Sequence, residues 1–335
     1  MINLGRMITL AYARFPVLTC GNGYAIRHRP PSDHTRGTSV EPWQFAGPIS
    51  AASAPRAGSP AVIPSVDWWV TSRCNLACDF CYGPEPGRDP AELRDTILER
   101  LRESSAAAVT FCGGEPLLVR KVDEYAGILA KAGKQTVLNT NGSILARRVA
   151  QGFGLEHFDV VGLSIDGSTA DVHRAMRGPQ ADLAEALSAA DLVVRQPGTR
   201  LKIGTVVSAV NQDDLPGLAQ LMLGLQPDVW RLYQYSSRGW QNTGQQRHQL
   251  PEDDFLRLAE QAANLVAPIP VAFSTESQTA GCLIVDPAGT VLRPGESDYE
   301  ECGNCLKEPL DDIWSRSPAR SLVTTNKRWL SVLTA

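Results

Sequence analysis

Three cysteines fall within eight residues in Cys74-Asn-Leu-Ala-Cys78-Asp-Phe-Cys81. Thiolates so closely spaced on one loop are natural ligands of an iron–sulfur cluster. A cubane has four irons, so three thiolates leave one iron open to an exogenous ligand. The same residue types also suit a zinc loop lacking its fourth ligand, or cysteines buried only for packing. Of the eight cysteines, Cys302-Gly-Asn-Cys305 has ligand spacing for a second centre, and Cys282 opens a strand that could lie beside it. Cys20 is a candidate fourth ligand there, and Cys112 reads as a small strand residue. Arg6 and Arg14 interrupt what would be the apolar part of a signal peptide. No stretch approaches the roughly 18 apolar residues of a membrane span. The chain is expected in the cytoplasm, where clustered cysteines mean metal or redox chemistry rather than disulfides.

The 335 residues are 43% hydrophobic and 20% charged, a globular balance that argues against disorder, collagen-like repeats and coiled coils. The formal charge, 32 − 36 = −4, argues against a nucleic-acid surface. Residues 1–64 are punctured by Pro30, Pro31, Pro42, Pro48, Pro55, Pro60 and Pro64 and are expected to form an irregular extension. Strands are expected at 66–71, 107–112, 136–140, 158–165, 200–207 and 229–233. Helical spacing separates them at 90–103, 122–131, 143–151, 182–194 and 215–225, with Asp89 as N-cap of the first helix. Such alternation implies α/β architecture with a parallel sheet and right-handed crossovers. A complete eight-fold barrel needs about 250 residues, so a partial (β/α)6 TIM-like barrel over 65–245 is expected. Residues 246–335 change rhythm and are expected to form a small α+β cap. It would hold a helix at 251–266, short strands near 271–273 and 283–285, a turn at Pro287, and closing helices at 309–314 and 318–330. The cysteine loop follows the first barrel strand, at the end of the barrel where sites are built.

The Cys-x3-Cys-x2-Cys spacing, with Phe80 before the last cysteine, resembles the radical S-adenosylmethionine superfamily. The resemblance extends over about residues 66–245. It implies a [4Fe–4S] cluster on Cys74, Cys78 and Cys81 whose open iron is chelated by S-adenosylmethionine. Phe111-Cys112-Gly113-Gly114-Glu115-Pro116 matches the motif that holds the cofactor's amino group, with Glu115 or a main-chain carbonyl as acceptor. Asn139-Thr140-Asn141-Gly142 is similar to the family's segment near the ribose, where amides suit hydroxyls. Ser164 would touch the ribose too, and Arg177 the methionine carboxylate. Asp228–Tyr235 resembles the sixth strand of viperin-like enzymes, which would bring Gln234 to the barrel mouth. Those enzymes follow the cluster with basic and histidine residues suited to a nucleoside triphosphate. Tyr82-Gly-Pro-Glu-Pro-Gly stands here instead, which argues against that substrate. The C-terminal region resembles twitch or SPASM-type domains. Its cysteine spacing departs from theirs, so a second cluster on Cys282, Cys302 and Cys305 and a purely structural role both stay open.

The resemblance implies an enzyme that abstracts hydrogen from an organic substrate, tailoring a small molecule or short peptide in natural-product biosynthesis. Maturation of a ribosomal peptide, and a non-catalytic iron–sulfur or zinc scaffold, are the alternatives. An electron donor such as flavodoxin or ferredoxin is the expected partner.

Overall fold

This computed structural model describes residues 62–241, 245–276, 282–295 and 298–317. It also describes the backbone of a two-residue ladder, Thr19–Cys20 against Tyr24–Ala25. The rest of the expected extension up to residue 61, the Cys20 side chain and the closing helix from 318 lie outside the described residues.

Strands β1 (Val66–Thr71), β2 (Ala108–Gly113), β3 (Gln135–Thr140), β4 (Val160–Ser164), β5 (Arg200–Val207) and β6 (Val229–Gln234) pair in sequence order, all parallel. Helices α1 (Arg94–Glu103), α2 (Val122–Lys131), α3 (Leu145–Ala150), α4 (Ala170–Arg177), α5 (Leu183–Arg195) and α6 (Leu215–Leu225) connect them. Alternation along a strand sends successive side chains to opposite faces. Val66, Trp68 and Val70 therefore join Ile97 and Leu101 of α1 in the core between sheet and helices. Asp67 and Trp69 face inward, where Asp67 bonds to Thr110 of β2. The floor of the interior is apolar, with Val137, Val160 and Val229 packed together.

The sheet does not stop at six strands. Strand β7 (Val271–Ser274) adds parallel to β6. Strand β8 (Leu283–Val285) adds parallel to the other side of β1, with Leu283 opposite Val66. Strands β9 (Thr290–Pro294) and β10 (Tyr299–Asn304) follow antiparallel, giving a ten-stranded sheet ordered β10-β9-β8-β1-β2-β3-β4-β5-β6-β7. The expected cap is thus largely an extension of the barrel sheet at both edges. The reason is backbone satisfaction: β1 and β6 each have a free row of N–H and C=O groups that the later strands pair. Helix α7 (Glu252–Leu265) lies beside α6. Helix α8 (Leu310–Arg316) ties in through Asp311, which accepts from the Ser105 N–H at 3.1 Å.

Asp89 is not an N-cap. The first helix opens with a 3-10 turn, Ala91–Leu93, before α1, and Asp89 turns to the cysteine loop instead. Its carboxylate accepts from Thr71 Oγ1 (2.8 Å), Arg73 Nε (3.0 Å) and the Arg94 guanidinium (2.7 Å). Burial opposes its ionisation, but the bonds from Arg94 and Thr71 outweigh it and hold the carboxyl below its usual range.

Candidate active site

The loop leaving β1 is wound tightly. Cys81 N–H donates to the Cys78 carbonyl at 3.2 Å. Two main-chain donors point at sulfur: Leu76 N–H to Cys74 Sγ (3.4 Å) and Gly83 N–H to Cys81 Sγ (3.3 Å). Cys74 is exposed, Cys78 buried and Cys81 half-buried. Cys78 lies within electrostatic reach of both other thiols and of Arg177. Burial pushes the Cys78 thiol up to about 12 despite the pull of Arg177, so a metal binding there must displace a proton.

Gly113 and Gly114 bring two backbones together. A Cβ at Gly113 (φ +111°) would fall 2.6 Å from the Thr71 carbonyl, and one at Gly114 would overlap the Arg73 carbonyl. Gly114 N–H donates to Thr71 O and Glu115 N–H to Arg73 O, both at 2.8 Å. The Gly-Gly-Glu-Pro turn is therefore stapled to the entrance of the cysteine loop. Pro116 starts a short 3-10 turn that Glu115 caps.

Glu115 is also a structural link. Buried, it accepts from Leu117 N–H (3.0 Å), Thr140 Oγ1 (2.7 Å) and Asn141 N–H (2.9 Å). The three donors on its two oxygens knit β2 to β3, and a carboxylate has about four acceptor sites, so Oε2 keeps room for one further donor. Burial raises its pKa, with the bonds from Thr140 and Asn141 pulling the other way.

Asn141 reaches the cysteine loop directly, donating from its amide to Asn75 Oδ1 at 3.0 Å. Asn75 donates in turn to Ser143 Oγ (2.8 Å). Asn139 sits deeper and accepts from Lys202 Nζ at 2.7 Å. Ser164 ends β4, half-buried. Arg177 is ion-paired through Nε to the fully buried Asp166 and lies over the Phe80 ring at 5.7 Å. Burial opposes its charge, but Asp166 and the Cys78 and Cys81 thiols outweigh it and raise its pKa.

Gln234 does not open toward the mouth. Its amide donates to the Leu250 carbonyl (2.9 Å) and accepts from Glu276 N–H (2.9 Å), clasping β6 to the segments after it. Cys282, Cys302 and Cys305 do not share a site. Cys282 packs on the inner face with Trp69, Cys112 and Ile284, bonded to Asp67. Cys305 is fully buried in the outer, helix-covered core, and Cys302 packs against that same core. The sheet lies between them. Among the described residues no three His, Cys, Asp or Glu side chains converge on a single metal ion.

Sequence reasoning missed Asn75 and Asp166, whose signal is their position beside motif residues, and read Asp89 only as an N-cap. It also gave no weight to His173. That ring is buried, and its Nδ1 accepts from Asp166 N–H at 3.3 Å. Burial, then Arg177, depresses its pKa to about 4 from 6.5. The unfolded chain therefore binds this proton first as pH falls. The stabilisation from a neutral His173 is complete above about pH 6.5 and is lost toward pH 4, roughly 3 kcal/mol in all. Urea midpoints across that range are expected to fall in the native chain and to fall less in His173→Gln; equal slopes would remove His173 as the cause.

The donor set suits the cluster that the motif implies. Three thiols share one loop, two N–H groups point at sulfur, and the half-buried Arg177 guanidinium offsets thiolate charge. The comparisons agree. Residues 69–222 match the family model described as the radical SAM superfamily. The AdoMet-dependent heme synthase of Nitratidesulfovibrio vulgaris is 23% identical over 290 residues, covering 75% of this chain and 78% of that protein. The S-adenosylmethionine-dependent nucleotide dehydratase of Lacinutrix mariniflava is 28% identical over 246 residues, 68% of this chain but only 50% of its relative. Among solved structures, Streptococcus suis SuiB bound to S-adenosylmethionine superposes with a TM-score of 0.60 at 16% identity, covering 81% of this chain and 71% of SuiB. Native anSMEcpe with AdoMet and Cp18Cys peptide gives 0.58 at 17%, covering 78% and 82%.

Proposed function

That this chain belongs to the radical SAM superfamily, and so is an enzyme using a [4Fe–4S] cluster and S-adenosylmethionine, is the premise from which we propose its chemistry. Bound together and reduced, the two supply a 5′-deoxyadenosyl radical that abstracts hydrogen from carbon. We propose that the substrate is an organic molecule tailored in natural-product biosynthesis and held at the barrel mouth. The observation that carries this reading is the stapling of the three-thiol loop to the Gly113-Gly114 turn, beside an arginine ion-paired to the fully buried Asp166.

In this reading Cys74, Cys78 and Cys81 hold the cluster. The main chain at Gly113 and Gly114 accepts from the cofactor ammonium, and Asn141 and Ser164 line the ribose. Arg177, oriented by Asp166, binds the carboxylate. Asn139 and Pro116 shape the walls. Flavodoxin or ferredoxin delivers the electron. The test is anaerobic reduction of the reconstituted protein with S-adenosylmethionine. Formation of 5′-deoxyadenosine is expected, and its absence with a full cluster would leave a non-catalytic scaffold.

A peptide substrate is the second reading. Two neighbours of the same fold were solved with peptides, SuiB with its precursor SuiA and anSMEcpe with Cp18Cys. Tyr82 and Trp240, exposed near the exit of β6, offer aromatic surface to a chain passing over the mouth. Transfer of deuterium from labelled candidates into 5′-deoxyadenosine distinguishes the two readings.

Arg177→Ala should leave the iron content unchanged and weaken S-adenosylmethionine binding about ten- to a hundred-fold, since a charge-assisted bond is worth roughly 1.5–3 kcal/mol. Arg177→Lys should recover only part, lacking a second donor for a forked contact. Calorimetric titration of reconstituted protein reads both, and native affinity in Arg177→Ala would remove Arg177 from the cofactor site.

A further inference from the structure

Asp79 lies inside the cysteine loop, between Cys78 and Phe80, yet its partners come from the far side of the barrel. His248, in the short 3-10 turn Gln246–His248 beyond β6, places Nε2 2.9 Å from Asp79 Oδ1. Its Nδ1 is 3.1 Å from Ser208 Oγ, just past the end of β5. Arg247 is ion-paired to the other Asp79 oxygen. A carboxylate only accepts, so the Nε2 proton points to Asp79, while Nδ1 faces the Ser208 hydroxyl. The ring is also gripped on its faces. Tyr235 stacks on it at 5.3 Å, and Phe80 meets it edge-on at 5.5 Å. His248 has no exposed surface at all.

Serine, histidine and aspartate in such a chain are the parts of a hydrolase, but the surroundings exclude that chemistry. Ser208 is wholly buried. Its oxygen accepts from Val210 N–H at 3.2 Å and lies 3.4 Å from Met176 Sδ, so no substrate reaches it. What the chain does is join three segments. It links the ends of β5 and β6, the exit side of the barrel, to the loop carrying Cys78 and Cys81.

Resting on the radical SAM reading above, we infer that His248 is a positioning residue for the cluster loop, holding Asp79 and Phe80 in register so that Cys78 and Cys81 present a cluster to the cofactor. Phe80 has His248 on one side and the Arg177 guanidinium on the other, so a displaced imidazole frees the ring that Arg177 rests on. Neither His248 nor Asp79 is a cluster ligand in this assignment, and both act through the loop.

The test uses full-length protein, anaerobically reconstituted, as native chain, His248→Phe, His248→Gln and Asp79→Asn. The native enzyme should give a reduced-cluster electron paramagnetic resonance signal that shifts on adding S-adenosylmethionine. His248→Phe keeps a ring of similar size but loses both hydrogen bonds. It should lose or alter that shift and release iron to a chelator about tenfold faster. His248→Gln, which can still donate to Asp79, should recover much of both, a rescue that mere space-filling would not produce. Asp79→Asn keeps the loop but loses the ion pair with Arg247, and should show the same altered shift if His248→Phe does not fold. Native spectra and chelation rates in both His248→Phe and Asp79→Asn would overturn the inference. A native enzyme with no cofactor-induced shift would instead overturn the superfamily chemistry on which it rests, and is seen before any variant is compared.

Discussion

Replacing Cys74, Cys78 and Cys81 together by alanine should abolish 5′-deoxyadenosine formation and leave the protein without iron. Each thiolate supplies one corner of the proposed cluster, and among the described residues the C-terminal cysteines share no site from which to compensate. Cys282 faces the barrel interior, whereas Cys302 and Cys305 pack on the helix-covered side of the sheet. Reconstituted native protein should therefore carry about four irons per chain, the content of one [4Fe–4S] cluster. Colorimetric iron analysis and chromatography of the nucleoside product measure the two effects. Four irons retained by the triple variant would show a second cluster and reverse the reading of the C-terminal cysteines. Nucleoside product from the triple variant would remove these three from the site.

Gly114→Ala should weaken cofactor binding, though the residue is no metal ligand. Its Cβ would overlap the Arg73 carbonyl, and relief is blocked on both sides. Gly114 N–H is bonded to Thr71 at the end of β1, and Glu115 N–H to Arg73 itself. The strain must therefore move either the cysteine loop or the turn proposed to hold the cofactor. Crowding of a packed site typically costs about 1–3 kcal/mol. Applied to cofactor binding, that is about five- to 150-fold in affinity. Thermal melting and S-adenosylmethionine titration read the two quantities. A variant with native melting and native affinity would mean the two backbones are not held as closely as described.

Much of this was legible in the sequence, for reasons the elements make plain. Val66–Thr71 and Arg200–Val207 have the bounds expected of them, and α2 and α6 follow their helical periodicity. The cysteine spacing is a local signal, as is Gly-Gly-Glu-Pro. Partnership is not local. Leu283-Ile-Val285 reads as a strand but carries nothing that names β1 as its neighbour. A glutamate in a turn does not announce that Thr140 and Asn141, on the next strand and its loop, donate to it. Gln234 and the C-terminal cysteines misled for the same reason: which face of a sheet a residue meets depends on pairings made far away in the chain. Asp79 and His248 belong to no motif, and only the fold brings them together.

The pairing of β8 with β1 also sets an order of events in synthesis. Val66 leaves the ribosome 283 − 66 = 217 residues before Leu283, the residue it lies opposite. At roughly 5–20 residues per second, that is about 10 to 40 seconds. During that interval β1, which carries the cysteine loop, can pair with β2 on one side only. Its other edge is a row of unmet backbone groups beside buried tryptophans, the kind of edge that recruits other chains. Closing so long a loop costs about 5 kcal/mol in chain entropy, which three short strands must recover by pairing together. The thiols are thus made early but enclosed late, and the nascent chain passes through a stage in which its redox-sensitive loop hangs from an unfinished sheet.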